Sequence, residues 1–156
     1  MNALTTIRLP PPTADEPIPT IAGTHGLTLL RSAPVSSLIQ SQSEDLEAMK
    51  ETALAICASL TPPRDEVIAL EIESLSLHYP AMSRTRAESQ LVIRHWLADL
   101  ADIPADLIVE ACRLWRNSAE RFFPTPGQLK ALVEPMLKHR QALAKRANDF
   151  LEAIAA

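Results

Sequence analysis

Residues 120–129 read ERFFPTPGQL, and the reading of this stretch decides the fold. It holds two of the chain's three phenylalanines and one of its three glycines. Thr125-Pro126-Gly127-Gln128 has the form of a capping box. In such a box the threonine hydroxyl accepts from the amide three residues on, while the glutamine reaches back to the threonine amide. Pro126 then takes the first helical position, where a missing N–H costs nothing. Phe123 lies two residues before the cap, close to where an apolar side chain can staple back onto the new helix. The phenylalanine pair therefore reads as a plug between helices, with at most one ring exposed, that of Phe122.

Two further boxes, Ser41-Gln-Ser-Glu44 and Thr85-Arg-Ala-Glu88, extend the same reading along the chain. The first opens a helix with the stripe Leu46, Met49, Ala53, Ile56/Cys57 and Leu60. Thr61-Pro-Pro63 ends it, with Thr61 a candidate cap for a second helix through Ile68, Ile72 and Leu75 that stops before Pro80. Thr85 opens a third helix with Leu91/Val92, His95/Trp96 and Leu100 on one face. Pro104 begins a fourth, with Leu107/Ile108, Ala111 and Leu114/Trp115 inward and Val109, Glu110, Arg113 and Arg116 spread over the other faces. The fifth carries Leu129, Leu132 and Val133, and Pro135 should kink it or start a separate C-terminal helix. Apolar residues at three-four spacing, few glycines and no Asn-Gly or Asp-Gly turn predict an all-α fold, a compact bundle of five or six short helices. Five of the six aromatics lie between residues 79 and 123, which places the core there.

Six of the thirteen prolines fall before residue 35, so residues 1–42 read as a disordered or extended Pro-rich arm, inert or tethering rather than a polyproline ligand. Within it only Gly26-Leu-Thr-Leu-Leu30 offers a short apolar patch that could dock locally. Residues 43–134 form the helical domain, and 135–156 an amphipathic C-terminal helix. The start, MNALTTIRLPPP, has neither the basic end nor the apolar run of a signal peptide, and no stretch of about 18 apolar residues exists. Cys57 and Cys112 read as buried free thiols, which suits a reducing cytoplasm.

The four histidines show no metal-ligand spacing, and glycine-rich phosphate loops, G-x-S-x-G, H-E-x-x-H and C-x-x-C are all absent. No catalytic, cofactor-binding or metal-binding residues are assigned, and a non-enzymatic role is expected. Charge is uneven: residues 43–80 carry two basic and eight acidic side chains, and residues 138–156 four basic and two acidic. That balance argues against a broad DNA-coating face and permits a local contact. The run Lys138–Arg146, with Lys138, Arg140, Lys145 and Arg146, contains no acid. It reads either as a solvated helix face or as a contact for an acidic partner or nucleic-acid backbone, with Arg140 pointing away from the other three. A second cluster, Arg113, Arg116 and Arg121, surrounds Trp115. An outward Trp115 could stack on single-stranded bases, but its spacing from Leu107 and Ala111 is that of a core residue.

From Leu75 to Leu129 the chain runs Leu-x-x-x-Tyr79-Pro80, then Trp96-x-x-x-Leu100-x-Asp102-x-Pro104. It continues with Leu107-Ile-Val-x-Ala111 and closes on Phe123-Pro-Thr125-Pro-x-x-Leu129. This order resembles the bacteriophage replicative-helicase loader and inhibitor family, small helical proteins of phage DNA replication. Three features depart from that pattern. The turn here is Phe-Phe-Pro-Thr-Pro rather than adjacent prolines, and the Pro-rich arm and acidic first helix lie outside it. The resemblance implies a phage or prophage protein that binds a hexameric replicative helicase and loads or inhibits it. It carries no fixed binding motif. The alternative is a small DNA-binding or regulatory protein that uses the basic C-terminal helix.

Overall fold

The structure, a computed structural model, describes residues 24–80 and 84–156. Among them it contains seven helices and no strand: α1 (Thr24–Ser32), α2 (Val35–Leu38), α3 (Ser43–Ala58), α4 (Asp65–Ser76), α5 (Arg86–Leu100), α6 (Ala105–Arg116) and α7 (Pro126–Ala155). The expected all-α bundle is what forms. Two of the three capping boxes are made. Thr85 Oγ1 accepts from the Glu88 amide at 3.3 Å while the Glu88 carboxylate accepts from the Thr85 amide at 2.7 Å. The Thr85 amide, and then its hydroxyl, donate to the Glu88 carboxylate and hold it below the usual carboxylate range. Thr125 and Gln128 repeat the arrangement at the start of α7, with Pro126 in its first turn.

The third box is not made, and the reason is local. The Ser41 amide donates to the Leu38 carbonyl in the turn that closes α2, so it is not offered to Glu44. Helix α3 starts at Ser43, with Gln42 as its cap residue. Thr61 does not cap the next helix either: its amide donates to the Ala58 carbonyl in the turn that ends α3, and the cap position falls at Arg64. Helix α4 starts three residues later than Thr61 would place it, behind Arg64.

Two corrections concern the ends of the chain. The predicted arm over 1–42 is wrong for its second part: residues 24–38 form α1 and α2, and Leu30 and Leu38 are buried. The apolar patch Gly26–Leu30 is the middle of α1, packed on α3, and residues 1–23 lie outside the described residues. At the other end no separate helix begins at Pro135, because α7 runs through it for 30 residues. The missing proline N–H leaves the Ala131 carbonyl without its helical donor, but both residues sit on the exposed side, where solvent can supply one.

The apolar side chains segregate into two clusters strung along α7. The first joins α4, α5 and α6 to the first half of α7, with Ile68, Ile72, Leu75, Trp96, Leu100, Leu107, Trp115, Leu129 and Val133 at its centre. The expected aromatic core is this cluster: Phe123 packs edge-on to Tyr79 at 5.8 Å and against Trp96 at 5.4 Å. The second joins α1, α2 and α3 to the last half of α7 through Leu30, Leu38, Met49, Ala53, Ile56, Leu143, Ala147 and Phe150. The C-terminal helix thus spends its apolar face inside the molecule.

Candidate partner-binding surface

Of the seven cations singled out in the sequence, the structure takes several out of contention as a free basic face. Arg140 is fully buried, on the inward side of α7. Its Nη1 donates to the Ser59 carbonyl at 3.1 Å and to Asp106 Oδ1 at 2.9 Å, and its Nη2 donates to Asp106 Oδ2 at 2.6 Å. Ser59 is the C-cap of α3 and Asp106 lies in the first turn of α6. The guanidinium therefore meets the negative end of one helix dipole, while the carboxylate it holds meets the positive end of another. Arg140 does point away from Lys138 and Lys145, as helical geometry requires, but inward. Arg146 is half-buried and donates to the carbonyls of Leu30 and Ala33, satisfying acceptors that the end of α1 leaves open. It serves as a C-terminal cap in trans.

Lys138 and Lys145 remain on the surface. Lys138 pairs with Glu134 one turn back, at 2.7 Å, and Lys145 is exposed with no ion pair among the described residues. Arg113 grips Glu110 through two bonds of 2.7 Å, and Glu110 is itself buried rather than on an outer face. Arg116 is half-buried, with its charge partly offsetting the burial that raises the Glu71 pKa. Arg121 is exposed. Trp115 between them is buried, and its Nε1 donates to the Phe122 carbonyl at 3.2 Å, so base stacking on that ring is excluded in this fold. Trp115 is thus the core residue that its spacing indicated, and of the cations in the Lys138–Arg146 run only Lys138 and Lys145 are exposed.

Both cysteines are free, Cys112 buried and Cys57 half-buried. Burial, with the Glu71 charge adding to it, pushes the Cys112 thiol up to about 12. Burial also raises Cys57, whose thiol donates to Asn148 Oδ1 at 3.1 Å. Neither is poised as a thiolate. Among the described residues no group of three His, Cys, Asp or Glu side chains could hold a metal ion, and no helix is long and apolar enough to cross a membrane.

The surface also carries large apolar side chains. Phe122 is 80% exposed, as the capping argument expected, while Phe123 is the plug. Leu77 is 85% and Leu70 65% exposed, both on the outer side of α4 and its C-cap. Beside Leu77 a groove of about 370 Å³ runs between α4 and α5, walled by Tyr79, Val92, Ile93 and Phe123 and edged by Glu73 and Arg84. Sequence reading gave α4 only its inward stripe. The outward one, Glu66-Leu70-Glu73-Leu77, is visible at the same three-four spacing once one asks which leucines the core does not use.

Comparison with protein-family models, with curated proteins and with solved structures finds no match to this chain. Function must therefore be argued from the residues themselves.

Proposed function

We propose that this chain is a non-enzymatic accessory protein of phage-type DNA replication that binds a hexameric replicative helicase and loads or inhibits it. One observation supports the reading. The apolar members of the pattern that carries the resemblance, Leu75, Tyr79, Trp96, Leu100, Leu107, Ala111, Phe123 and Leu129, lie in or against a single core, where the Phe123 ring meets both Tyr79 and Trp96. Residues spread over 55 positions thus share one packing role, which is what a common helical scaffold requires of them.

The basic C-terminal helix adds little to the DNA-binding alternative, since Arg140 and Arg146 are spent on internal acceptors. The test is association of the full chain with a purified hexameric replicative helicase, by size-exclusion with light scattering, alongside DNA binding measured across a salt series. A stable complex supports the proposal. No complex, together with DNA affinity that falls steeply with salt, would move the assignment to the alternative. Deleting residues 136–156 is not a clean variant, because it removes Leu143, Ala147 and Phe150 from the second core.

A further inference from the structure

We propose that the outer stripe of α4, Glu66-Leu70-Glu73-Leu77, together with the groove it borders, is a docking surface for a basic amphipathic helix of a protein partner. It deepens the helicase reading by naming where contact is made, and the helicase arm of its test rests on that reading.

The shape argues for a helical occupant. Leu70 and Leu77 are seven residues apart, and Leu77 keeps helical backbone angles as the C-cap. Two turns of α-helix separate them by about 10.5 Å. A partner helix with apolar residues at positions one and eight matches that span, whereas an extended strand repeats one face about every 6.8 Å and misses it. The groove that Leu77 borders, walled by Tyr79, Val92, Ile93 and Phe123, offers a further apolar seat next to it.

The charge argues for a basic one. Helix α4 contains no lysine or arginine. Asp65, Glu66 and Glu73 are exposed and have no ion pair among the described residues. Phosphate backbones and anionic membranes are repelled by such a stripe. A second copy of this chain fits poorly. Its other exposed large apolar residues, Ile39, Leu54, Leu91, Val109 and Phe122, give no described helix two of them seven apart with cations alongside. Lysines or arginines flanking a partner's apolar stripe would pair with Glu66 and Glu73, as flanking charges do in helix pairs.

The experiment uses the full chain and a synthetic 18-residue helical peptide with leucine every seven residues flanked by lysines, with a scrambled peptide as control. Amide chemical shifts should move along α4 and around Tyr79 and Phe123, for the ordered peptide only. Leu70→Gln and Leu77→Gln, both at exposed positions, should each weaken binding about tenfold with an unchanged unfolding midpoint. Glu66→Gln with Glu73→Gln should flatten the salt dependence. Shifts that map elsewhere, or leucine variants that bind like the parent, overturn the proposal. A concentration-dependent dimer abolished by Leu77→Gln would overturn it too, by making a second copy the occupant. The helicase arm separates the two ideas. Peptide binding without helicase association sinks the proposed function and leaves the surface standing. Helicase association untouched by the leucine variants keeps the function and removes the surface.

Discussion

Arg140 shows how much one side chain carries in this molecule. It sits on α7 between the residues that seat the first core and those that seat the second, and it ties the end of α3 to the start of α6. Removing one member of a buried ion pair leaves the other uncompensated, which is far costlier than losing an exposed pair. Asp106 keeps some contact with solvent, so Arg140→Met should cost about 3 kcal/mol, the low end of that range. Arg140→Lys should recover only part of this, because a lysine cannot supply the two-pronged contact to the carboxylate. Urea unfolding of the three proteins is the check, and a loss under about 1 kcal/mol for Arg140→Met would show that the tie is incidental. The thiols give a second expectation at this scale. With Cys112 buried and its thiol pushed up to about 12, only Cys57 should react with a disulfide reagent in the native protein, slowly, and both should react in guanidinium. Two equally fast native thiols would contradict the packing of α6. The position of Arg140 was readable in advance: the inward rhythm 129, 133, 136, 143, 147, 150 has a gap, and 140 fills it. Residue type obscured it, because an arginine within a basic run reads as solvent-facing until an acceptor is known.

At the scale of elements, helices were legible where the chain carries its own signals. Thr85 and Thr125 announce α5 and α7, and the three-four rhythm of α4, α5 and α6 follows the core they build. Helix α1 announces nothing. Nine residues are too few to be helical alone, and the surrounding prolines mask its pattern, so its stability comes from packing on α3 and from the Leu30 and Arg146 contacts with α7. The device that allows this is Gly26. A β-carbon there would overlap the Thr52 side chain and the Ala48 carbonyl of α3, so only glycine lets the two helices approach this closely. Gly26→Ala gains helix propensity yet should destabilise by about 1–3 kcal/mol, through overpacking against backbone that cannot yield. Hydrogen exchange should show α1 losing protection first, with the amides of α5 and α6 unchanged. A variant as stable as the parent would mean that α1 is not seated on α3 as described.

For the whole molecule, the consequence is a bundle with two cores and a single helix shared between them. Composition pointed to one core because five of six aromatics fall between residues 79 and 123, four of them packed in it, and the second was missed because its only aromatic, Phe150, sits in a segment that reads as a basic surface helix. That asymmetry supplies the means of separating the cores experimentally. Trp96 and Trp115 both belong to the first, so tryptophan fluorescence follows that cluster alone, while far-UV circular dichroism follows all seven helices. In the parent protein the two signals should fall together, because α7 and the Arg140 contacts couple the halves. Phe150 is fully buried, and Phe150→Ala should remove about 3–5 kcal/mol from the second core. The first core keeps all its contacts, so part of the helical signal should then be lost at lower denaturant than the tryptophan signal. Transitions that stay superimposed and shift together would mean that the coupling through α7 exceeds the lost packing. The surface formed by α4 and α5 belongs to the first core, and in the Phe150→Ala protein it should persist at denaturant concentrations where α1 and α3 have already detached.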